Sequence, residues 1–485
     1  MKFKQKLYFG LMLLFMGNLA IGQSPKTEWT LEECVSYAWE NNLTIRNNQL
    51  TQLQNEIAVK QSKFARLPNL SAGGGVGKSF GRTIDPVSNS FISQDILSGS
   101  LSANSNVTVY QGGILQNTIR QNELNLQASE FDLQKAKNDI GLSVATNFLN
   151  VLLNREQLEN AKFQLEVTKN QLDRTKKLVE AGSLPLTNQL DLESQNASNE
   201  VQVVTAENNL SLAMLNLKQS MQMPADQDLD IVAPSDLSVE DVAMTLETPS
   251  QVFNVAVENQ PEVKSAELGI KSNDIGEKIA RGAFLPSLSI SGSISTNYSD
   301  RAQQLLGSQL ITIPARDVGF VQGTGDRVFL DASQETVPIF SDNYSTFDQF
   351  NDNLGQSVRV NLNVPIFSRL SNTSNLQRAK INKQRAEITA QNVKNQLRQS
   401  IETAYNNAVA GLKSYEATGK RVTALEESFR ATEQRYNVGD VNFVDYQVAS
   451  NNLFAARTDL VRAKYEYIFR VKILDFYLGN PITLD

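Results

Sequence analysis

Two spacings of apolar residues share this chain, and prolines mark where one gives way to the other. Residues 43–66 and 261–284 follow a helical spacing. Pro68 and Pro286 end those runs, because proline cannot continue the hydrogen-bond ladder. Beyond each proline the period falls to two. Leu288, Ile290, Gly292 and Ile294 alternate with Ser289, Ser291, Ser293 and Ser295. A later run sets Val358, Val360, Leu362 and Val364 against Ser357, Arg359, Asn361 and Asn363. An earlier one sets Leu101, Ala103, Val107 and Val109 against Ser102, Asn104, Asn106 and Thr108, with glycine-rich 70–78 as its weaker partner. Four strands of about ten residues are predicted, enough to cross a bilayer at a tilt. Small polar residues fill one face, which suits a water-filled lumen better than a packed core. Long polar loops, 79–100 and 299–354, are expected to join the strands of each pair.

The longest helical runs follow. No proline interrupts residues 114–179, and 368–438 is similar, so each predicts a helix of roughly 100 Å. Leu158, Leu165, Leu172 and Val179, with Ala161, Thr168 and Thr175, make strict heptads. Gly182 and Gly439 supply left-handed caps, and returning helices of about 37 residues follow them. Short amphipathic helices at 31–40 and 251–258 open each series.

The series occurs twice. Ala65-Arg66-Leu67-Pro68 returns as Ala283-Phe284-Leu285-Pro286 at an offset of 218, whereas Glu180-Ala181-Gly182 returns as Asn437-Val438-Gly439 at 257. Met223-Pro224 returns as Asn480-Pro481 at the later offset. The difference places an insertion of roughly 39 residues in the loop of the second copy. The expected organisation is a signal peptide (1–22), a first repeat (23–245) and a second repeat (246–485). The first repeat holds strands near 68–80 and 101–110 and a hairpin of helices over 114–222. The second holds strands near 286–298 and 356–365 and a hairpin over 368–478. The leader reading rests on Lys2, Lys4 and Lys6 before an apolar run, with Ala20-Ile21-Gly22 ahead of Gln23.

Composition narrows the chemistry. The chain has no histidine and one cysteine, Cys34, so His-based triads, zinc sites and an internal disulfide are excluded. Cys34 reads as a small buried apolar residue. The net charge of −7 offers no basic face for nucleic acid. Neither a phosphate-binding glycine loop nor a paired acid motif occurs, so no enzyme, cofactor or metal site is expected.

The paired Leu67-Pro68-Asn69-Leu70 and Leu285-Pro286-Ser287-Leu288, the closing Val364-Pro365-Ile366-Phe367, and Tyr436-Asn437-Val438-Gly439 with Phe443-Val444-Asp445 occur in a specific order. In these motifs the chain resembles the TolC family of outer-membrane efflux proteins over nearly its whole length. Gly81-Arg82-Thr83-Ile84-Asp85-Pro86 is similar to a loop of that family. The resemblance implies a mainly α fold with membrane β: tandem long coiled-coil hairpins plus four transmembrane strands per chain. It further implies a homotrimer sharing one β-barrel and one α-helical tunnel, set in outer-membrane lipid and extending into the periplasm. Physics reaches part of this alone, since four strands cannot close a barrel and open edges are not tolerated in lipid.

The resemblance also implies a passive exit duct for a tripartite efflux pump or a type I secretion system. Its partners would be a periplasmic adaptor protein and an inner-membrane RND or ABC transporter. Gly182, Ser183, Leu184, Gly439, Asp440 and Val441 become the tips that meet the adaptor. Asp445 and Tyr436 become a channel constriction. Val441 stands where a gate-locking arginine is expected, Val448 where a second aspartate is expected, and Asn188 replaces an acidic partner. The competing reading, a non-conducting periplasmic coiled-coil scaffold, explains the helices but leaves four alternating strands unexplained.

Overall fold

The computed structural model describes residues 28–232 and 248–480. The expected leader and Pro481 lie outside the described residues. In chain order the helices are α1 (Leu31–Asn41), α2 (Leu43–Phe64), α3 (Ile114–Glu180), α4 (Leu186–Met221), α5 (Pro249–Asn259), α6 (Pro261–Gly282), α7 (Thr346–Asp352), α8 (Ser371–Asn437) and α9 (Phe443–Leu478). The strands are β1 (Glu28–Trp29), β2 (Asn69–Ser79), β3 (Thr83–Ile84), β4 (Phe91–Ile92), β5 (Ile96–Gln111), β6 (Asp230–Ile231), β7 (Ser287–Ser299), β8 (Gln304–Ile313), β9 (Arg316–Phe320), β10 (Arg327–Leu330), β11 (Ser333–Ser341) and β12 (Gly355–Asn363). Two compact units result: the first includes Glu123–Asn273 with the chain up to Ile57 and from Asn382, the second Ala58–Asn122 with Asp274–Ile381.

The first unit is helical apart from the short parallel pair β1–β6. Helix α1 starts at a capping box, Thr30 with Glu33. Its buried face, Leu31, Cys34, Val35 and Ala38, packs on Val144, Phe148, Val151 and Leu152 of α3 and on Ala213, Leu217 and Met221 of α4. The second copy repeats the arrangement: Val252 and Ala256 of α5 pack with Val263, Leu397 and Ile401. Cys34 and Val252 are counterparts at offset 218, and so are Ala38 and Ala256. Between the long helices the seam is partly polar. Asn199 Nδ2 donates to Thr168 Oγ1 at 2.8 Å and Gln164 Nε2 donates to Ser450 Oγ at 3.2 Å, all four groups being buried. Such bonds favour one helix register over its neighbours.

The second unit is built on one four-stranded antiparallel sheet in the order β12-β7-β5-β2. The four strands expected from alternation are all present. Within each copy the pairing is the same: Leu101 faces Gly74, and their counterparts Val358 and Gly292 also face each other. Strand β5 begins five residues earlier than expected, at Ile96, and is interrupted by a bulge between Thr108 and Tyr110. Val109, expected with Leu101 and Val107 on one face, is the unpaired residue. Tyr110 takes the place opposite Leu288 instead.

The two long polar loops hold secondary structure of their own. The first holds the β3–β4 hairpin; the second holds the β8–β11 and β9–β10 hairpins and α7. A buried node joins them to the sheet. The Ser299 hydroxyl donates to the Asp85 carboxylate, which also accepts from the amides of Val87 at 2.9 Å and Ser88 at 2.8 Å. Gln349 Oε1 accepts from the Ser299 amide at 2.9 Å. Burial pushes the Asp85 carboxyl up, but the Ser299 hydroxyl and the two amides outweigh it and hold the group below the ordinary aspartate value.

The strand-to-helix turns also match between copies. Gly112 and Gly113 have φ of +57° and +74°, and their counterparts Arg369 and Leu370 have +49° and +63°. Helix α8 was expected to start near residue 368. This left-handed pair delays its start to Ser371.

Candidate functional site: a two-faced sheet and two helical turns

Antiparallel partners share a face, so the register sorts the sheet into two surfaces. One carries Leu70, Ala72, Val76, Leu101, Ala103, Val107, Leu288, Ile290, Ile294, Val358, Val360 and Leu362. Tyr110 and Tyr298 stand near its two ends. From Leu288 to Tyr298 the strand advances ten residues, which is about 33 Å along its length. At the usual tilt this spans about 25 Å, the height of the apolar band of an outer-membrane barrel. Lys78 closes one rim of the face, where it pairs with Asp95 at 3.4 Å and lies over the Phe80 ring.

The opposite surface is polar. Asn69, Ser71, Asn104, Asn106, Ser291, Ser293, Ser357 and Arg359 line a shallow depression there. Ser293 and Ser357 share a hydrogen bond of 2.8 Å, and Asn361 Nδ2 donates to Ser291 Oγ at 3.3 Å. Arg359 is the one charged residue on this face of the four strands. Strands β2 and β12 are the outer strands of the sheet.

In the helical unit the two expected tips are both Schellman turns. Gly182 N–H donates to Val179 O at 2.9 Å and Ser183 N–H to Leu178 O at 2.8 Å. Gly439 N–H donates to Tyr436 O at 3.1 Å and Asp440 N–H to Arg435 O at 2.9 Å. The glycines adopt φ of +74° and +81°. Ser183 and Asp440 are exposed; Leu184 and Val441 are half-buried. Asp440 is paired with Arg435 Nε at 2.7 Å. Arg174 Nη1 donates to Asn437 Oδ1 at 2.8 Å, tying α3 to the end of α8.

Tyr436 is half-buried and stacked on Tyr446, with ring centroids 4.8 Å apart and planes 24° from parallel. Phe443 and Phe429 complete the cluster against Leu172 and Leu192. Burial, then the nearby Glu433 and Tyr436, push the Tyr446 hydroxyl up to about 12, so it stays neutral. Asp445 is exposed in the first turn of α9, and its amide is capped by Asn442 Oδ1 at 2.9 Å. A carboxylate is favourable at that helix end. The cluster partners Phe429, Phe443 and Tyr446 were missed as a group. The signal was present, since their counterparts in the first copy are Leu172, Leu186 and Gln189, only one of them buried apolar.

The model of the family described as "Outer membrane efflux protein" matches residues 34–221 and again 252–480. The chain is 22% identical to outer membrane protein TolC of Vibrio cholerae serotype O1, over 98% of this chain and 96% of that one. Its fold is similar to the outer membrane protein VceC of Vibrio cholerae, with a TM-score of 0.72 at 14% identity over 93% of this chain and 96% of the other. It is also similar to the open state of the Neisseria gonorrhoeae MtrE outer membrane channel, with a TM-score of 0.68 at 18% identity over 94% and 90%. Among the described residues no helix is long and apolar enough to cross a membrane. Matched along most of its length, and twice over, the chain belongs to the outer membrane efflux protein family.

Proposed function

We propose that this outer-membrane protein is one third of an exit duct, serving a tripartite efflux pump or a type I secretion system. The observation that carries the reading is the sheet: one apolar face of membrane height, one polar face, and two unpaired outer strands. Three copies would close a twelve-stranded barrel with its polar face inward. The helices next to the outer strands support the same assembly. Helix α2, which leads into β2, leaves Leu43, Leu50, Ile57 and Phe64 exposed at heptad spacing. Helix α8, which follows β12, leaves Ile381 and Ile388 exposed. Both surfaces are completed by one head-to-tail contact that closes a ring.

The duplication supports one register for that contact. If β12 meets the next copy's β2 as β5 meets β7 within the chain, Arg359 lies opposite Gly77, Val360 opposite Val76 and Asn361 opposite Gly75 of the neighbour. The chain supplies the passage alone, and an inner-membrane RND or ABC transporter supplies the energy. The turns around Gly182–Leu184 and Gly439–Val441 would meet the periplasmic adaptor, as cross-linkers placed at Ser183 and Asp440 should show.

The Tyr436–Tyr446 stack and exposed Asp445 would form the constriction. Three carboxylates near one axis attract cations. Replacing Asp445 with Asn should therefore lower cation preference and relieve block by trivalent cations; unchanged selectivity and block would remove Asp445 from the constriction. The duct itself is tested by conductance of the purified protein in planar bilayers together with heat-modifiable migration. Protein that assembles in the outer membrane but passes no current would overturn it.

A further inference from the structure

We propose that Arg359 makes the barrel of this duct a filter favouring anionic solutes, those bearing carboxylate or phosphate groups; the inference rests on the ring assembly above. The four strands of the β12-β7-β5-β2 sheet carry only two charges, Lys78 and Arg359, and no acid. Lys78 is on the apolar face and neutralised by Asp95. Arg359 is on the polar face, exposed, and pairs across the sheet with Ser291. Ser291 is in turn opposite Asn106, and Asn106 opposite Asn69. The row crossing the chain at this height is therefore arginine, serine, asparagine, asparagine, with hydrogen-bonding groups and no counter-charge.

Guanidinium binds carboxylate and phosphate through paired, parallel hydrogen bonds, and the neighbouring amides and hydroxyls offer further donors. The register inferred for the ring sets Arg359 beside the neighbour's Gly77, whose missing side chain leaves the guanidinium uncovered. A β-carbon built at Gly77 would meet no atom within 4 Å in the single chain. Twelve strands at ordinary spacing and tilt give a backbone radius of about 12 Å. The screening length at physiological salt is about 8 Å. Arginines projecting inward from that wall therefore influence the whole cross-section, and low-dielectric walls strengthen the field.

The test is the reversal potential of single channels in a potassium chloride gradient, with citrate added as an anionic blocker. Measured in Asp445→Asn protein, so that the cation-attracting constriction in series does not set the reading, Arg359→Gln should lower the chloride-to-potassium permeability ratio by roughly two-fold or more and abolish citrate block. Arg359→Glu should lower the ratio further, and Arg359→Lys should keep most of it. Arg359→Gln and Arg359→Glu channels with normal unitary conductance and unchanged reversal potential and block would overturn the filter while leaving the duct intact. Wild-type protein that forms no conducting channel would overturn the duct, and the filter with it.

Discussion

Gly112 and Gly282 meet backbone to backbone: a β-carbon on Gly112 would lie 2.2 Å from the carbonyl oxygen of Gly282, and one on Gly282 would lie 2.6 Å from that of Gly112. The end of β5 can approach the end of α6 so closely only because neither residue has a side chain. At the matching turn of the second copy Arg369 and Leu370 keep the left-handed backbone without glycine. Their equivalent of Gly282 is Phe64, on the exposed face of α2. The tight contact made inside one chain is thus replaced by larger residues where two chains are proposed to meet.

Opposite signs follow at the two turns. Gly112→Ala should destabilise the oligomer by about 3 kcal/mol or more, because backbone must move as well as adopt a strained φ. Leu370→Gly should stabilise the isolated chain by about 1 kcal/mol by relieving a left-handed leucine. Thermal unfolding in detergent measures the first on the assembled protein and the second on chains dissociated to monomers, and equal effects of the two changes would contradict this reading of the turns.

The lipid face is tested by charge. Val360→Arg, inside the apolar band, should cost about 2 kcal/mol or more, and Leu362→Arg, level with Leu288 at the end of the band, about 1 kcal/mol. Asn361→Arg, on the polar face between them, should be tolerated. Assembly assayed by heat-modifiable migration separates the outcomes, and normal assembly of all three would reverse the faces assigned to the sheet.

The Asp85 node makes loop stability depend on acid. Because its folded pKa lies below the unfolded value, the stabilisation is complete above the unfolded value. It is lost as pH falls through the folded one. Asp85→Ala should leave the Ser299 hydroxyl and two amides without their acceptor, at a cost of about 1–3 kcal/mol. Limited proteolysis of the loops should rise in this variant at neutral pH and in the wild type only below about pH 4. Equal cleavage of variant and wild type at neutral pH would dismiss the node.

Cys34 should be chemically silent. It is fully buried, and burial with Glu33 and Glu32 nearby pushes its thiol up to about 12. Maleimide should label it only after denaturation, whereas labelling of the native protein at pH 8 would show that α1 opens.

Much of the fold was legible in the sequence because its two periods are so different. The alternation around Ile290 and Val360 marked strands and faces, and the proline-free heptads from Leu158 to Val179 marked a long helix. What escaped was local. The bulge at Val109 shifts one residue without altering composition. The hairpins of the long loop use mixed residues such as Leu310 opposite Thr336, with no alternating face to reveal them. Of the proposed constriction, Tyr436 and Asp445 were visible as single residues. The stack with Tyr446 depends on the turn that returns α9 alongside α8. Arg359 stood in the alternating pattern as one polar residue among several, and only the register showed that it is the sole charge on its face.

The ring assembly is tested most directly by joining β12 of one copy to β2 of the next. With Asn361→Cys and Gly75→Cys in one chain, oxidation or a short bis-maleimide should produce dimers and then a closed trimer that survives boiling in detergent. Gly75 has open space on that side in the single chain, and Cys34 is buried and does not interfere. Cysteines at Asn361 and Ser71, four residues away along β2, should give far less. Protein that stays monomeric on the gel after oxidation and after bis-maleimide treatment, although folded and in the outer membrane, would contradict the shared barrel.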